Sequence, residues 1–242
     1  MDLVEQSYWN ESYSKLKLFE ADDAVTKWLS QFIIPAKGEL FEVGCYPGRY
    51  MAYMGKKEWI ISGMDLAPQT SEQLKPWLQS LGVKTNKLQQ GDVLEYLKTS
   101  NDKYDVVCSF GFIEHFENFQ DIIELHTKVV KTDGRIIITT PHFKGWVQKF
   151  LHTWLDKENL NRHYLPSMEP KLWQKKLESL GYKIEWCGYF GNFSFWADKE
   201  KRSLLKKLGL KIVETVTPIF KWLPNSKAYS PYCGIVAKKV IE

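Results

Sequence analysis

What most constrains the fold of this chain is a repeated alternation of short β-rich runs with stretches of helical period. Strand-like runs fall at residues 39–44, 59–65, 85–92, 104–110, 135–140, 183–190 and 233–238. Between the fourth and fifth, Phe119, Ile122, Ile123, His126, Val129 and Val130 repeat at helical spacing, with Asp121, Glu124, Lys128 and Lys131 on the opposite face. A further helix is expected over 169–180, with Pro170 in its first turn and Gly181 as its stop. Alternation of this kind predicts an α/β fold, a mostly parallel sheet with helices on both faces.

A chain of 242 residues suits one such domain, 1–242, with insertions. With 44% hydrophobic and 26% charged residues it is neither disordered nor a disulfide scaffold. Its longest apolar runs fall far short of a membrane span. The first residues have no basic flank and no apolar stretch, so no secretory signal is expected. Cys45, Cys108, Cys187 and Cys233 show no C-x-x-C spacing and read as reduced thiols in a cytoplasm. No residue is put forward as a metal ligand. The net charge of +4 is local: residues 199–211 hold six bases and one acid, so the rest of the chain sums to about −1 and no nucleic-acid surface is expected. In that window Leu204, Leu205, Leu208 and Ile212 lie opposite Lys206 and Lys207. Residues 199–212 therefore have two readings, a solvated face of a packed helix or a basic amphipathic helix resting on the inner face of a membrane. Two long connections, about 143–166 and 191–231, exceed what a minimal sheet needs and are read as cap insertions over a substrate site, with decorative surface packing as the other reading.

The chemistry concentrates in Leu40–Phe41–Glu42–Val43–Gly44–Cys45–Tyr46–Pro47–Gly48–Arg49–Tyr50. A strand ends in a glycine, a tight turn follows, and a helix begins whose first N–H groups are unpaired. Gly44 and Gly48 are expected to leave the backbone bare where a bulky ligand lies against it. A dinucleotide fingerprint fails here, because Tyr46 and Arg49 replace two of its three glycines. Asp65 closes the second strand twenty-one positions after Gly44, where a carboxylate can accept both hydroxyls of a ribose. Asp92 closes the third, placed to accept from an exocyclic purine amine.

Glu42–Val43–Gly44–Cys45–x–x–Gly48, Asp65, Gly91–Asp92–Val93, Asp105–Val106–Val107–Cys108–Ser109 followed by Ile113–Glu114–His115–Phe116, and Val130–Lys131–Thr132–Asp133–Gly134–Arg135 stand in one order. Together they resemble the class I S-adenosylmethionine-dependent methyltransferases over roughly residues 41–141. The resemblance implies a Rossmann-like three-layer sandwich with strand order 3-2-1-4-5-7-6 and an antiparallel last strand. It implies S-adenosyl-L-methionine as cofactor and S-adenosyl-L-homocysteine as product. Glu42, Gly44, Cys45 and Gly48 would form the turn, with Gly44 and Cys45 at the methionyl part. Asp65 with Leu66 would hold the ribose, Asp92 with Val93 the adenine, and Phe110 would lie near the sulfonium. Trp9 and Tyr13 look like the N-terminal helix, about 1–30, that closes over the cofactor in many relatives; ordinary helix packing is the other reading.

Absent motifs narrow the reaction. No Pro-Pro or Pro-Cys dipeptide occurs, which removes the signatures of amide and cytosine-C5 methylation, and Ser109–Phe110 stands where metal-assisted catechol chemistry places an acid. Base-assisted or proximity-driven transfer to a small molecule, sugar or lipid head group is left, with positioning able to supply about 7–11 kcal/mol. His115 and His142 follow strands four and five and are the candidate bases. His126 falls on an apolar helix face and reads as a core residue, His163 lines the cap, and Arg162 is a candidate for an acidic substrate group. Pro141–His142–Phe143–Lys144–Gly145–Trp146, Asn161–Arg162–His163 and Ser230–Pro231–Tyr232 resemble, more loosely, bacterial methyltransferases of surface polysaccharide and lipopolysaccharide assembly. Trp146, Trp154, Tyr164, Trp186, Tyr189 and Trp196 could stack on sugars or simply fill the core. The expected activity is O-methylation of a sugar or glycan acceptor. The alternatives are a quinone, lipid or other small metabolite as acceptor, or a non-catalytic cofactor-binding module.

Overall fold

Successive side chains of a strand point to opposite faces, so a β-run that is apolar throughout needs helices on both sides. The computed structural model, which describes residues 6–14, 16–34, 36–198, 202–220 and 222–240, has this arrangement. Seven strands form one sheet: β1 (Glu39–Val43), β2 (Ile60–Asp65), β3 (Thr85–Gln90), β4 (Tyr104–Phe110), β5 (Val130–Pro141), β6 (Tyr182–Phe190) and β7 (Tyr232–Lys239). Their order is β3-β2-β1-β4-β5-β7-β6. The first five strands pair in parallel, and β7 runs antiparallel to both β5 and β6. This is the class I methyltransferase topology.

Among the described residues ten α-helices connect or cover the strands: α1 (Gln6–Tyr13), α2 (Ala24–Leu29), α3 (Arg49–Gly55), α4 (Lys75–Ser80), α5 (Val93–Thr99), α6 (Phe119–Lys128), α7 (Trp146–Leu155), α8 (Lys157–Asn161), α9 (Pro170–Ser179) and α10 (Leu204–Phe220). Ile136 and Ile138 of β5, with Ile235 and Ala237 of β7, enter a core shared with Ile122 and Ile123 of α6 and Trp173 and Leu177 of α9. Ile137 and Val236, one residue out of phase, enter a second core with Trp28 and Leu29 of α2 and Met51 and Met54 of α3. Truncating a fully buried residue such as Ile137 to alanine removes about 2–5 kcal/mol.

Three expectations need correction. The N-terminal helix is not continuous over 1–30: α1 and α2 are separate, and residues 1–5 and 15 lie outside the described set. Asp23 imposes the break by a reciprocal capping box, its Oδ1 accepting from Val25 N and Thr26 N while Thr26 Oγ1 accepts from Asp23 N. The turn 132–134 does not precede β5 but lies within it. Tyr104 pairs with Val130 before the register shifts and resumes at Val106–Arg135, and Asp133 takes a positive φ of 62° in the bulged segment. The third strand stops at Gln90, because Asp92 turns to cap α5 through Leu94 N and Glu95 N.

Candidate active site

The carboxyl ends of β1, β2 and β3 bring the glycine turn and both predicted acids to one edge. Val43 pairs with Met64 and Asp65 with Gln90. Gly44 N and Cys45 N both donate to Met64 O, and Gly91 N donates to Asp65 O. Asp65 organises the turn: Oδ2 accepts from Tyr46 N at 3.0 Å and Oδ1 from Ala67 N at 2.8 Å. Burial raises its pKa against these two bonds, and each oxygen keeps a lone pair for a further donor. Leu66 beside it is exposed.

Gly44 and Gly48 are needed for a different reason from the one the sequence suggested. Their φ values are +66° and +72°, and their open faces are covered from within the protein. A Cβ on Gly44 would lie 2.3 Å from Phe112 Cδ2, and one on Gly48 would lie 2.2 Å from Leu74 Cδ1. The glycines allow the turn to close against side chains rather than leaving bare backbone. Cys45 and Val93 are likewise buried in the two cores, so their side chains serve packing. Asp92 spends Oδ1 on the α5 cap and is exposed at its strand end.

Glu42 is the buried acid of the turn. Its Oε2 has no partner, and burial raises its pKa well above the usual range, with Arg49 pulling the other way. Arg49 stands at the start of α3, its guanidinium 5.1 Å from the Tyr50 ring centroid and near the Glu42, Asp23 and Tyr232 side chains. Sequence reading passed over Arg49, noting only that it was not glycine; its place one residue after the last glycine of the turn was the available signal. An orphaned buried carboxylate oxygen, a guanidinium and the Asp65 carboxylate form a donor and acceptor set that suits an amino-acid head and a ribose. The residues present therefore fit S-adenosyl-L-methionine.

The second half of the site follows β4. A single 3-10 turn, Ile113–His115, places Glu114 in the interior with neither carboxylate oxygen partnered, and burial pushes its pKa up to about 8. His115 Nδ1 lies 3.1 Å from Arg162 O, and His163 Nδ1 lies 2.6 Å from Asn159 O. A carbonyl only accepts, so both Nδ1 atoms carry the proton and both Nε2 atoms keep a lone pair. Burial lowers the two pKa values to about 4 and about 3, which keeps both rings neutral. The rings stand 4.9 Å apart, and one ligand atom from each of Glu114, His115 and His163 lies within 4.8 Å of the others, close enough to hold a cation or a hydroxyl.

Helix α1 joins the two halves. Trp9 meets His115 edge-on at 5.0 Å, and Tyr13, one helical turn on, meets Tyr46 at 4.8 Å. One turn rises about 5.4 Å, so α1 spans the gap between His115 and the glycine turn. Tyr13 is pushed up in pKa by burial and by Asp65. Phe110 packs on Tyr50 at 4.8 Å, and Phe112 bridges Gly44 and the 3-10 turn.

Of two further expected site residues, one is spent on the fold and the other stands beside His115 and His163 with its charge already engaged. His142 is wholly buried: its Nε2 lies 3.0 Å from Lys227 O, its ring packs on Tyr189 at 4.5 Å, and it fastens the end of β5 to the loop before β7. Arg162 is held by Asp198 and Asn159 and lies 4.8 Å over the Tyr8 ring, so its charge is already matched. His126 is the satisfied core residue expected, with Nδ1 on Ile122 O and Nε2 on Ser109 Oγ. The six cap aromatics do not gather into a sugar platform: Trp186 packs on Trp28, Trp196 on Phe143, and Trp146 and Trp154 face outward from α7. A depression of about 680 Å³ lined by Phe32, Ile34, Arg135 and Glu185 lies at the opposite end of the strands, away from these acids.

A doubly wound sheet with an acid at the end of β2 and a cofactor turn after β1 defines a nucleoside-binding protein of the class I methyltransferase type. A family model described as a methyltransferase domain matches residues 20–215, and the chain belongs to that family. It is a methyltransferase that uses S-adenosyl-L-methionine. The ubiquinone biosynthesis O-methyltransferase of Rickettsia canadensis (strain McKiel) is 28% identical over 180 residues, covering 67% of this chain and 75% of that one. The protein of that name from Rickettsia felis is 24% identical over 206 residues, covering 76% and 83%. Among solved structures, a SAM-dependent methyltransferase from Archaeoglobus fulgidus superposes with a TM-score of 0.59 at 19% identity, covering 89% of this chain and 93% of that one. Magnesium protoporphyrin IX methyltransferase from Synechocystis with bound SAH gives 0.58 at 14%, covering 89% and 80%. These two likenesses show the shared fold. None of these relatives points to polysaccharide assembly.

Proposed function

We propose that this methyltransferase acts on a hydroxyl of a small, largely apolar acceptor of the quinol or phenol type, and not on the glycan expected first. The observation that carries the reading is the convergence of Glu114, His115 and His163, two neutral imidazoles with Nε2 lone pairs beside a carboxyl whose oxygens have no recorded partner. The Nε2 lone pairs suit a hydroxyl donor, and a carboxyl raised to about 8 can exchange a proton near neutrality. Its surroundings are aromatic, with Trp9 on His115 and Phe143 on His163 at 4.9 Å, which suits a ring better than a sugar. The names of the Rickettsia relatives agree in class.

The cofactor supplies an electrophilic methyl group when bound. Asp65 would accept from the ribose hydroxyls, Arg49 would pair with the carboxylate of the methionyl part, and Asp92 would accept from the adenine amine. Trp9 and Tyr13 exclude water above the turn. His115 Nε2 is placed to take the acceptor proton and ionised Glu114 to receive it or balance its charge, while the bound cofactor would supply the methyl group by breaking its methyl–sulfur bond and leave as the neutral thioether. A base with a pKa of about 8 is matched to neutral operating conditions far better than an imidazole at about 4.

Calorimetric titration with S-adenosyl-L-homocysteine tests the cofactor half: Asp65→Ala is expected to weaken binding about 10- to 100-fold, the loss of hydrogen bonds to a charged acceptor. Methyl transfer to polyprenylated phenols, compared with nucleotide sugars and oligosaccharides, tests the acceptor half. Turnover confined to the sugars would overturn it.

A further inference from the structure

We propose that helices α7 and α10 form a docking face for an anionic lipid bilayer. Helix α10 is seated on the protein along a narrow seam, with Gly209 and Val213 its only buried residues. Gly209 is the crossing point, since a Cβ there would lie 2.9 Å from Leu155 Cδ2 and from Trp154 Cη2. That glycine permits the close approach of α10 to α7 instead of merely weakening the helix. The seam is not the apolar stripe visible in the sequence. Leu205, Leu208, Ile212 and Ile219 follow at spacings of three, four and seven, on a face turned away from the seam, and they are 55–76% exposed.

A second outward stripe runs along α7, where Trp146, Phe150 and Trp154 recur every fourth residue at 72%, 64% and 47% exposure. Trp154 stands where α7 crosses α10 at Gly209, and Trp222 just beyond α10 is 86% exposed. Of the seventeen large apolar side chains exposed among the described residues, eleven lie on α7, α10 or the turn after α10. A monomer seldom leaves so much apolar surface in water without a use for it.

Charge decides the occupant. Helix α7 carries Lys149 and no acid, and α10 carries Lys206, Lys207 and Lys211 against Glu214. Lys149, Lys207 and Lys211 make no ion pair among the described residues and are exposed beside the stripes. Apolar rings and leucines bordered by unpaired lysines match acyl chains below anionic headgroups, whereas a second copy would bring like charges together. No described helix is long and apolar enough to cross a membrane, so the contact is one of lying on the surface. Phe143, at the entry to α7, packs on both His163 and His152, so α7 adjoins the acceptor cluster through its buried side. Docking would admit an apolar acceptor from the lipid phase, but it does not depend on which acceptor is used.

The test is co-sedimentation of the full chain with vesicles of phosphatidylcholine alone or with one third phosphatidylglycerol. Wild type is expected to bind the anionic vesicles at least tenfold more tightly, since each lysine near the surface contributes about fivefold. The triple variant Leu205→Ser, Leu208→Ser, Ile212→Ser should lose at least tenfold on both, and Lys207→Glu with Lys211→Glu should lose the anionic preference. S-adenosyl-L-homocysteine affinity should be unchanged in every variant, confirming that each is folded. Failure of wild type to bind that ligand would count against the cofactor reading and not against docking. No vesicle binding by wild type, or equal binding by all three proteins, would overturn the proposal. So would a dimer in sedimentation equilibrium that the serine substitutions convert to monomer, since the face would then belong to a second copy.

Discussion

Glu114 carries the sharpest consequence of any single residue in the site. Its carboxyl is raised from 4.5 to about 8 by burial, so the folded state holds a proton that the unfolded chain has released across that interval. Stability contributed by this group is therefore complete below pH 4.5 and is lost as pH rises toward 8. Turnover should move the other way, rising as Glu114 ionises. Glu114→Gln is expected to flatten the kcat profile between pH 7 and 9 and to remove the corresponding fall in thermal stability, both readable by initial rates and thermal melts across pH. A kcat profile unchanged by the substitution would remove Glu114 from the proton path. In the sequence, Glu114 and His115 were visible as part of a motif after the fourth strand, and of these two only His115 was weighed as a base, alongside His142. The burial that makes the neighbouring acid the better-matched proton acceptor comes from a 3-10 turn that no spacing announces.

Asp23 shows what one cap decides at the level of an element. It ends the segment leading from α1 and starts α2, and its Oδ2 also accepts from Tyr50 Oη at 3.1 Å. Asp23→Ala should cost about 1 kcal/mol through the lost cap, lowering the melting temperature by about 2–4 °C in a chain of this size. A change below the error of a differential scanning measurement would mean that packing of Val25, Trp28 and Leu29 alone holds the helix. The Asp-x-x-Thr signature was present in the sequence, yet a continuous helix over 1–30 was expected, because the resemblance to a closing helix outweighed the local signal. Helix α10 gives the opposite lesson. Its amphipathic period was legible, but which face meets the protein was fixed by Gly209 against Trp154, a contact between residues 55 positions apart.

For the whole molecule, the last strand is also an inner one. β7 lies between β5 and β6 and buries Cys233, Ile235, Val236 and Ala237 completely. Removing it would leave two strand edges and two opened cores, so a chain ended after Ser230 should lose its cooperative thermal transition and its near-ultraviolet dichroism. A cooperative melt in that truncation would show that β6 can dock on β5 by itself. The sheet and its cofactor edge could be anticipated because they rest on local period, on glycines before a helix, and on acids at strand ends, all of which are properties of contiguous residues; the strand order came from the family resemblance those motifs carry. The sequence could not decide between His115 and His142, between a free and an engaged Arg162, or between a bare and a covered Gly44. Those outcomes turn on which side chains arrive from distant segments, Lys227 on His142, Asp198 on Arg162 and Phe112 on Gly44. Burial and proton affinity are set by that three-dimensional company, so only the packed fold determined which of these side chains are engaged and which keep a free atom.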